Sequence, residues 1–170
     1  MADVPFFIAA LEKSHDKSRF SCGESSLDDY LKRYARQNGE NDSARVYVAV
    51  RPDDARVCGF FSLSAGEASV TDFSKRVARG WPRDVPTIHL GRIAVDLDFQ
   101  GQGLGDVLMG AAIEISLEVA VQVGVAAIEL WALNENLLRF YARFDFLPLQ
   151  DDPFHLYLSS ATARASLDTS

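Results

Sequence analysis

The sequence has few cysteines and no long apolar run. Two cysteines in 170 residues, Cys22 and Cys58, fit neither a disulfide framework nor a zinc site with paired ligands. Free thiols suit a reducing compartment. No apolar run approaches the ~18 residues that a membrane span needs, and the acidic start MADVP lacks the basic region of a signal peptide. We therefore expect a cytoplasmic protein with no membrane partner.

Histidine is also scarce. His15, His89 and His155 are far apart in the sequence and lack the short spacings typical of metal-binding pairs. We therefore expect no metal ion, and we interpret the three histidines as ordinary surface or packed residues.

Basic residues are outnumbered, by 17 to 24, which gives a net charge of -7 and argues against a nucleic-acid partner. The imbalance is confined to residues 86–170, which hold 11 acids and 4 bases, whereas residues 1–85 hold 13 of each. The neutral half contains two basic clusters: Lys32, Arg33, Arg36 and Arg45, and Lys75, Arg76, Arg79 and Arg83. The total charge therefore does not exclude a nucleic acid, because these clusters could contact one.

The composition is that of a globular protein, with 48% hydrophobic and 24% charged residues. We predict one domain over residues 1–158, followed by a polar, flexible tail over residues 159–170. Apolar periodicity and turn signals predict a helix, a hairpin and then a β-α-β-α-β order. That order predicts an α/β (α+β) fold in which a mixed central sheet is flanked by helices on both faces.

The predicted helices cover residues 26–37, 104–123 and 134–144. Ser25 or Ser26 is the expected cap of the first helix, and Asn134 is the expected cap of the last. The hairpin strands cover residues 45–50 and 56–64, and later strands cover 87–95, 126–132 and 154–158. Residues 75–80 are predicted to be a short basic helical stretch, broken by Pro82 and Pro86.

The most informative segment is LGRIAVDLDFQGQGLGDVL, residues 90–108, where a strand runs into Gly101, Gly103 and Gly105 and a helix follows at once. Closely spaced glycines let backbone N–H groups approach a ligand. The first turn of a helix adds unpaired N–H groups and partial positive charge. The segment therefore predicts a phosphate-binding cradle, with a flexible strand–helix turn as the alternative.

Three phosphate-binding patterns can be compared with this segment. A dinucleotide-binding G-x-G-x-x-G fails because Asp106 stands at the third glycine, and a P-loop fails because no lysine follows. The pattern Gln-x-x-Gly-x-Gly is met by Gln100, Gly103 and Gly105. This segment resembles the pyrophosphate loop of the GNAT acetyltransferase family.

A second signature supports the resemblance. Members often carry Asn, then Tyr seven residues later, then Phe five residues after that, as Asn134, Tyr141 and Phe146 do here. The family usually has Gly before this Phe, where the chain has Asp145, so the turn chemistry differs. The alternative for Tyr141 is core packing on an amphipathic helix.

The resemblance implies a GNAT fold, acetyl-CoA as co-substrate, and Tyr141 as the general acid that protonates the leaving thiolate. It implies that the end of the strand over residues 87–95 and the glycine loop contact the cofactor. Asn134, the expected helix cap, is a further candidate for a cofactor contact. Asp106 at the loop is expected to oppose cofactor binding, since its carboxylate repels phosphate. The implied cofactor-binding residues are Ile93, Ala94, Val95, Gln100, Gly101, Gln102, Gly103, Leu104, Gly105, Asp106 and Asn134.

No general base stands out; Glu67, His89 and Arg92 are polar candidates. An α-amine acceptor, with a pKa of about 7.7–8.0, would need little help from a base.

Residues 20–31, FSCGESSLDDYL, are similar to the opening of the tRNA-acetylating toxin branch of the family, as are GFFSLS (residues 59–64) and LGRIAVD (residues 90–96). This similarity implies that the acceptor is the α-amine of an aminoacyl-tRNA. It also implies a homodimer and a small ribbon-helix-helix antitoxin. Two alternatives stay open: a housekeeping enzyme for a small amine or protein N-terminus, and a degenerate acyl-CoA-binding domain.

Overall fold

A seven-strand mixed sheet forms the centre of the chain, whose computed structural model describes residues 5–169. The strand order is β1-β2-β3-β4-β5-β7-β6. β4 and β5 pair in parallel, whereas β1 with β2, β2 with β3, β5 with β7 and β6 with β7 pair antiparallel. The strands are β1 Phe7–Ala10, β2 Arg45–Val50, β3 Gly59–Ser69, β4 Asp84–Val95, β5 Ala127–Trp131, β6 Leu147–Pro148 and β7 His155–Ser159. The predicted α/β class with a mixed sheet is confirmed.

The first helical region consists of three consecutive segments: α1 Ser25–Asp29, a π-helical segment Tyr30–Tyr34, and α2 Ala35–Glu40. The later helices are α3 Leu104–Gln122, α4 Glu135–Ala142 and α5 Ser160–Asp168. Among residues 5–169, no helix combines the length and the apolar character that crossing a bilayer requires.

The chain falls into two compact units, and strands β3 and β4 each contribute residues to both. The first unit comprises residues up to Ser64 together with Gly91–Ala112. Its core packs the apolar side of the first helical region against β2 and β3, with Phe20 edge-on to Phe60 at 5.5 Å between ring centroids. Tyr30 and Leu31 are buried there because the π-helical segment turns both toward the strands.

The second unit comprises Ala65–Leu90 and Ile113–Ser170. Its core is centred on Phe73, whose ring meets Trp81 and Tyr157 edge to face at centroid distances of 5.1 and 4.9 Å. Val85 and Leu149 complete the cluster. The segment between β3 and β4 is therefore anchored by Phe73 and Trp81, which leaves its basic residues on the surface.

The prediction of a helical stretch over residues 75–80 was wrong. These residues form turns, and the segment ends at Gly80, whose φ of +81° belongs to the left-handed region. Pro86 does not break the structure either, because it lies inside β4, where its carbonyl accepts a hydrogen bond from Ala126 N–H at 2.9 Å.

Several short or terminal elements were not predicted, namely β1, β6 and α5. Where we expected a loose tail, α5 begins after Ser159, whose hydroxyl accepts from Thr162 N–H at 3.1 Å, and Ser160 and Ala163 are buried. The predicted caps Ser25 and Ser26 were also wrong, since they lie inside α1.

Candidate active site

The glycine loop has the backbone that its sequence predicts. Gly101 and Gly103 have φ values of +78° and +80°, and a Cβ built on either would meet no heavy atom within 4 Å. The space beside both backbones is therefore open. The loop runs into α3 at Leu104, where the first-turn N–H groups have no partner within the helix. An anion such as a pyrophosphate fits this cradle.

Two glutamines of the motif hold the loop through backbone carbonyls. Gln100 Nε2 donates to Val95 O at 2.9 Å and to Cys22 O at 3.3 Å. Gln102 Nε2 donates to Asp98 O at 3.3 Å, and its Oε1 accepts from Arg51 at 3.3 Å. These side chains fix the shape of the loop, so the ligand-binding groups that remain are its N–H groups.

A buried carboxylate orders the turn that precedes the loop. Asp96 accepts hydrogen bonds from Ser21 N–H at 3.0 Å and Asp98 N–H at 2.9 Å. Arg56 pairs with Asp96 at 3.3 Å and Asp98 at 2.7 Å, and the hydrogen bond to Asp98 raises the pKa of the guanidinium. Sequence reasoning missed these roles, although an Asp directly after a strand is a common local cap.

Gly59 on β3 lets α3 lie close to the strand end that carries Ile93, Ala94 and Val95. A Cβ on Gly59 would come within 2.9 Å of Leu108 Cδ1, 3.1 Å of Ala94 O and 3.2 Å of Leu104 Cδ2. The N-terminus of α3 is therefore placed by close packing. Gly105 and Asp106 follow Leu104 in its first turn, with the Asp106 side chain exposed.

Tyr141 lies on α4 in the second unit and is 3% exposed. Its ring packs against Phe140 and Phe146, and its hydroxyl forms no hydrogen bond with any described residue. Burial raises the pKa of Tyr141 above its usual value, so the phenol stays protonated at neutral pH. The group can therefore act as a proton donor to a leaving thiolate.

The ends of α4 explain two further residues of the second signature. Asn134 caps the helix as predicted, because its side chain accepts from Leu137 N–H at 3.0 Å. Asp145 has a φ of +70°, which lies in the left-handed region. The family's glycine adopts this conformation at no steric cost, and Asp145 adopts it with strain.

The parallel ladder between β4 and β5 is short. Residues 87–89 pair with residues 127–129, and the last pair is His89 with Glu129. β4 continues to Val95, six residues beyond this pair, whereas β5 ends two residues beyond it at Trp131.

At this last pair lies a set of charged side chains that sequence reasoning missed. Glu129 is buried and contacts both His89 and His155, and Asp151 contacts the other side of His155. The signal was Glu129 itself, an acid inside the apolar strand AIELW. Of the other proposed bases, Arg92 stacks its guanidinium on the Tyr30 ring at 3.7 Å and Glu67 is exposed. Within residues 5–169, no group of three or more His, Cys, Asp or Glu side chains is arranged so that it could hold a metal ion.

A family model and a curated relative match this chain over most of its length. The acetyltransferase (GNAT) family model matches residues 9–146. A "tRNA-acetylating toxin" from Mycobacterium tuberculosis is 41% identical over 155 residues, which cover 91% of this chain and 92% of that protein.

Solved structures agree. AtaT complexed with acetyl-methionyl-tRNAfMet superposes with a TM-score of 0.89 at 26% identity, covering 96% of this chain and 99% of the other. A tyrosine-to-phenylalanine mutant of AtaT, bound to acetyl-CoA and the C-terminus of the antitoxin AtaR, gives a TM-score of 0.80 at 26% identity, covering 95% and 98%. The fold, the glycine loop and these similarities together lead to one conclusion: the chain belongs to the GNAT family of acetyltransferases.

Proposed function

We propose that this protein is an acetyl-CoA-dependent N-acetyltransferase that acetylates the α-amine of aminoacyl-tRNA, and that it acts as the toxin of a toxin–antitoxin pair. The observation that carries this proposal is the 41% identity to a tRNA-acetylating toxin along nearly the full length of both chains. The AtaT structure with acetyl-methionyl-tRNAfMet supports the same acceptor class.

The chain's own residues suit such a cofactor. The N–H groups of Gln102, Gly103, Leu104 and Gly105 would hold the pyrophosphate. The part of β4 that lies beyond its ladder with β5, Ile93, Ala94 and Val95, would hold the pantetheine arm by strand-like hydrogen bonds. Asp106 lies exposed in the first turn of α3, and Asn134 contributes chiefly as the cap of α4. Acetyl-CoA supplies an activated acetyl thioester, and Tyr141 donates the proton that the departing thiolate takes up.

The two basic clusters differ in the charge that they leave for a phosphate backbone. In the first cluster Arg33 pairs with Asp29, Arg36 with Glu40 and Arg45 with Asp42, at 3.9, 3.2 and 2.7 Å. The second cluster, Lys75, Arg76, Arg79 and Arg83, is exposed and forms no ion pair with any described residue. The second cluster is therefore the better candidate for tRNA contact.

Induced expression and labelling test the activity. Wild-type protein is expected to arrest bacterial growth and to transfer labelled acetyl to bulk charged tRNA, whereas Tyr141→Phe is expected to do neither. The variant loses only a hydroxyl that has no hydrogen-bond partner among residues 5–169, so its melting temperature and acetyl-CoA affinity should match the wild type. A fully active Tyr141→Phe would contradict the role of this residue.

Charge reversal tests the acceptor. The double variant Arg76→Glu/Arg79→Glu should raise the KM for charged tRNA about tenfold or more at physiological salt, because each neutralised phosphate contributes to the affinity. Acetylation of a small α-amino amide should not change. Arg33→Glu/Arg36→Glu is the matched control with the same change in charge and should have a smaller effect on tRNA. Equal effects of the two pairs would contradict the assignment.

The same proposal includes partners and location. We propose a cytoplasmic homodimer that a small ribbon-helix-helix antitoxin neutralises; the support is that AtaT is bound to the C-terminus of AtaR in a related structure. Light scattering of the purified protein tests the dimer, and growth rescue by the product of the adjacent reading frame tests the antitoxin. Turnover on small amines without any on charged tRNA would instead indicate a housekeeping enzyme, and acetyl-CoA binding without turnover a degenerate domain.

A further inference from the structure

A chain of four charged or ionisable side chains runs across three strands of the second unit. Glu129 on β5 uses one carboxylate oxygen, Oε1, for His89 Nδ1 on β4. It uses the other, Oε2, for His155 Nε2 on β7 at 2.6 Å. His155 Nδ1 then contacts Asp151 Oδ2 at 2.9 Å. Every link is a direct contact between an imidazole and a carboxylate.

These contacts fix the proton positions. Both nitrogens of His155 face carboxylate oxygens, and a carboxylate can only accept, so both nitrogens carry protons and the ring is a cation. Burial lowers the pKa of His155, but its hydrogen bonds to Asp151 and Glu129 outweigh burial and raise the pKa overall. The Trp131 ring stacks on His155 at 4.2 Å between centroids and an angle of 6°, which adds a cation–π contact.

Glu129 is correspondingly an anion. Burial would raise its pKa, but the contacts with His89 and His155 outweigh this and lower the pKa overall. The carboxylate therefore accepts a hydrogen bond from His89 Nδ1–H, and in the neutral form of the ring this places the lone pair on Nε2. That atom forms no hydrogen bond with any described residue, and the His89 side chain is 33% exposed. His89 thus presents a proton-accepting nitrogen to the outside of a buried array.

Strand β3 packs closely against this arrangement. On β3, Gly66 faces the array, and a Cβ there would come within 2.8 Å of Thr87 Oγ1, 3.3 Å of His89 Cβ and 3.5 Å of Glu129 Oε1. Thr87 Oγ1 is buried and has no hydrogen-bond partner among residues 5–169, and a hydroxyl group carries no charge. The ionisable groups linked to His89 by hydrogen bonds are Glu129, directly, and His155 and Asp151 through it. Taking up one proton at His89 would bring this set from one net negative charge to neutrality.

The array also lies at a defined point of the sheet, since His89 and Glu129 form the last pair before the β4–β5 ladder ends. We infer that His89 is the catalytic proton acceptor for the acceptor's α-ammonium group, and that Glu129, His155 and Asp151 are positioning residues that hold its tautomer and orientation. This inference rests on the proposed function.

The proton count balances. One N–H proton of the α-ammonium moves to His89 Nε2 and then to solvent through the exposed edge of the ring. The amine nitrogen forms its bond to the acetyl carbon, and the carbon–sulfur bond breaks with its electron pair on sulfur. Tyr141 protonates that thiolate and regains a proton from the acylated nitrogen. The net reaction releases one proton, which leaves by way of His89.

The test is the pH dependence of kcat/KM for His89→Gln, measured with an aminoacyl-tRNA and with an α-amino amide. At pH 6.5 most of an α-amine with a pKa of about 7.7–8.0 is protonated, so the variant should lose about 10- to 100-fold in activity. At pH 9 the amine is already neutral and the loss should shrink to less than about threefold. Glu129→Gln should show the same pH dependence in weaker form, with a loss at pH 6.5 that shrinks at pH 9, because Glu129 acts on the reaction only through His89.

Two readouts separate a proton transfer from a structural effect. Added imidazole should restore part of the activity of His89→Ala, and the acetyl-CoA Kd and melting temperature of His89→Gln should equal those of the wild type. The control His15→Gln changes a histidine outside the array and should keep the wild-type profile.

Each result decides between the two proposals. An unchanged pH profile in His89→Gln, or an equal loss at pH 6.5 and 9, would overturn the role of His89. If the wild-type protein acetylated the amide but not charged tRNA, the tRNA acceptor would be overturned. The pH dependence of kcat/KM for the amide would then still decide whether His89 is the proton acceptor. Activity on neither acceptor would overturn the proposed function and this inference with it.

Discussion

Alanine at Gly103 is expected to weaken acetyl-CoA binding beyond any loss of stability, and Gly80 provides the control. Both glycines have nearly the same φ, +80° and +81°, and a Cβ on either meets no atom within 4 Å. The left-handed conformation disfavours an L-residue by about 1–2 kcal/mol. Both variants should therefore melt about 2–8 °C below the wild type, since 1 kcal/mol corresponds to about 2–4 °C in a protein of this size.

The two variants should differ in cofactor affinity. A Cβ on Gly103 stands beside the N–H groups that would face the pyrophosphate, and each lost hydrogen bond to a charged group is worth about 1.5–3 kcal/mol. Isothermal titration should therefore give a Kd for acetyl-CoA about 10- to 150-fold weaker for Gly103→Ala, and an unchanged Kd for Gly80→Ala. Equal affinities in the two variants would refute the assignment of this loop as the pyrophosphate cradle.

Three further predictions concern Asp145, Asp106 and His155. Asp145→Gly relieves the left-handed strain at φ +70° and should raise the melting temperature by about 2–4 °C in a calorimetric scan; a lower melting temperature would contradict this reading. Asp106→Lys replaces an exposed carboxylate in the first turn of α3 and should lower the KM for acetyl-CoA about three- to tenfold, an effect that added salt should reduce. Because the folded pKa of His155 is raised, its contribution to stability is complete below its unfolded pKa of about 6.5 and is lost as pH rises through the folded value. His155→Gln should therefore lower the melting temperature more at pH 6 than at pH 9.5, and the opposite order would show that the ring is not held as a cation.

The main helices and strands could be predicted because their sequences carry the periodicity themselves. Helix α3 begins at Leu104 as expected, directly after the glycines, and β2 and β3 form the expected hairpin. The Asn134 cap could also be predicted, because a cap acts on residues two or three positions away.

The elements that were missed depend on distant residues or are very short. β1 forms only by pairing with β2, about forty residues later in the chain, and its sequence FIAA does not alternate. β6 has two residues. The polar composition of residues 159–170 predicts a loose tail, but Ser159 caps α5 there by accepting from Thr162 N–H.

In the candidate site too, the parts formed by local motifs could be predicted, and the part formed by distant residues could not. The glycine loop and Tyr141 lie in local motifs, whereas the array around Glu129 joins residues 40 and 26 positions apart. Three isolated histidines carry no signal of their own, and nothing in their spacing indicates that His89 and His155 share the carboxylate of Glu129. The buried acid was the available clue, because a charge inside an apolar strand requires partners.

The short strand β6 has a consequence for the solubility of the folded chain. Leu149 N–H donates inward to His155 O on β7, so the alternation of the backbone turns the nitrogen of Pro148 toward the open margin of the sheet. Proline has no hydrogen to offer there, and a neighbouring copy that approached this margin would find no donor to begin a ladder. Pro148 thus disfavours the addition of further strands at this edge of the sheet. The exposed side chain of Leu147, on the same strand, would otherwise favour such association.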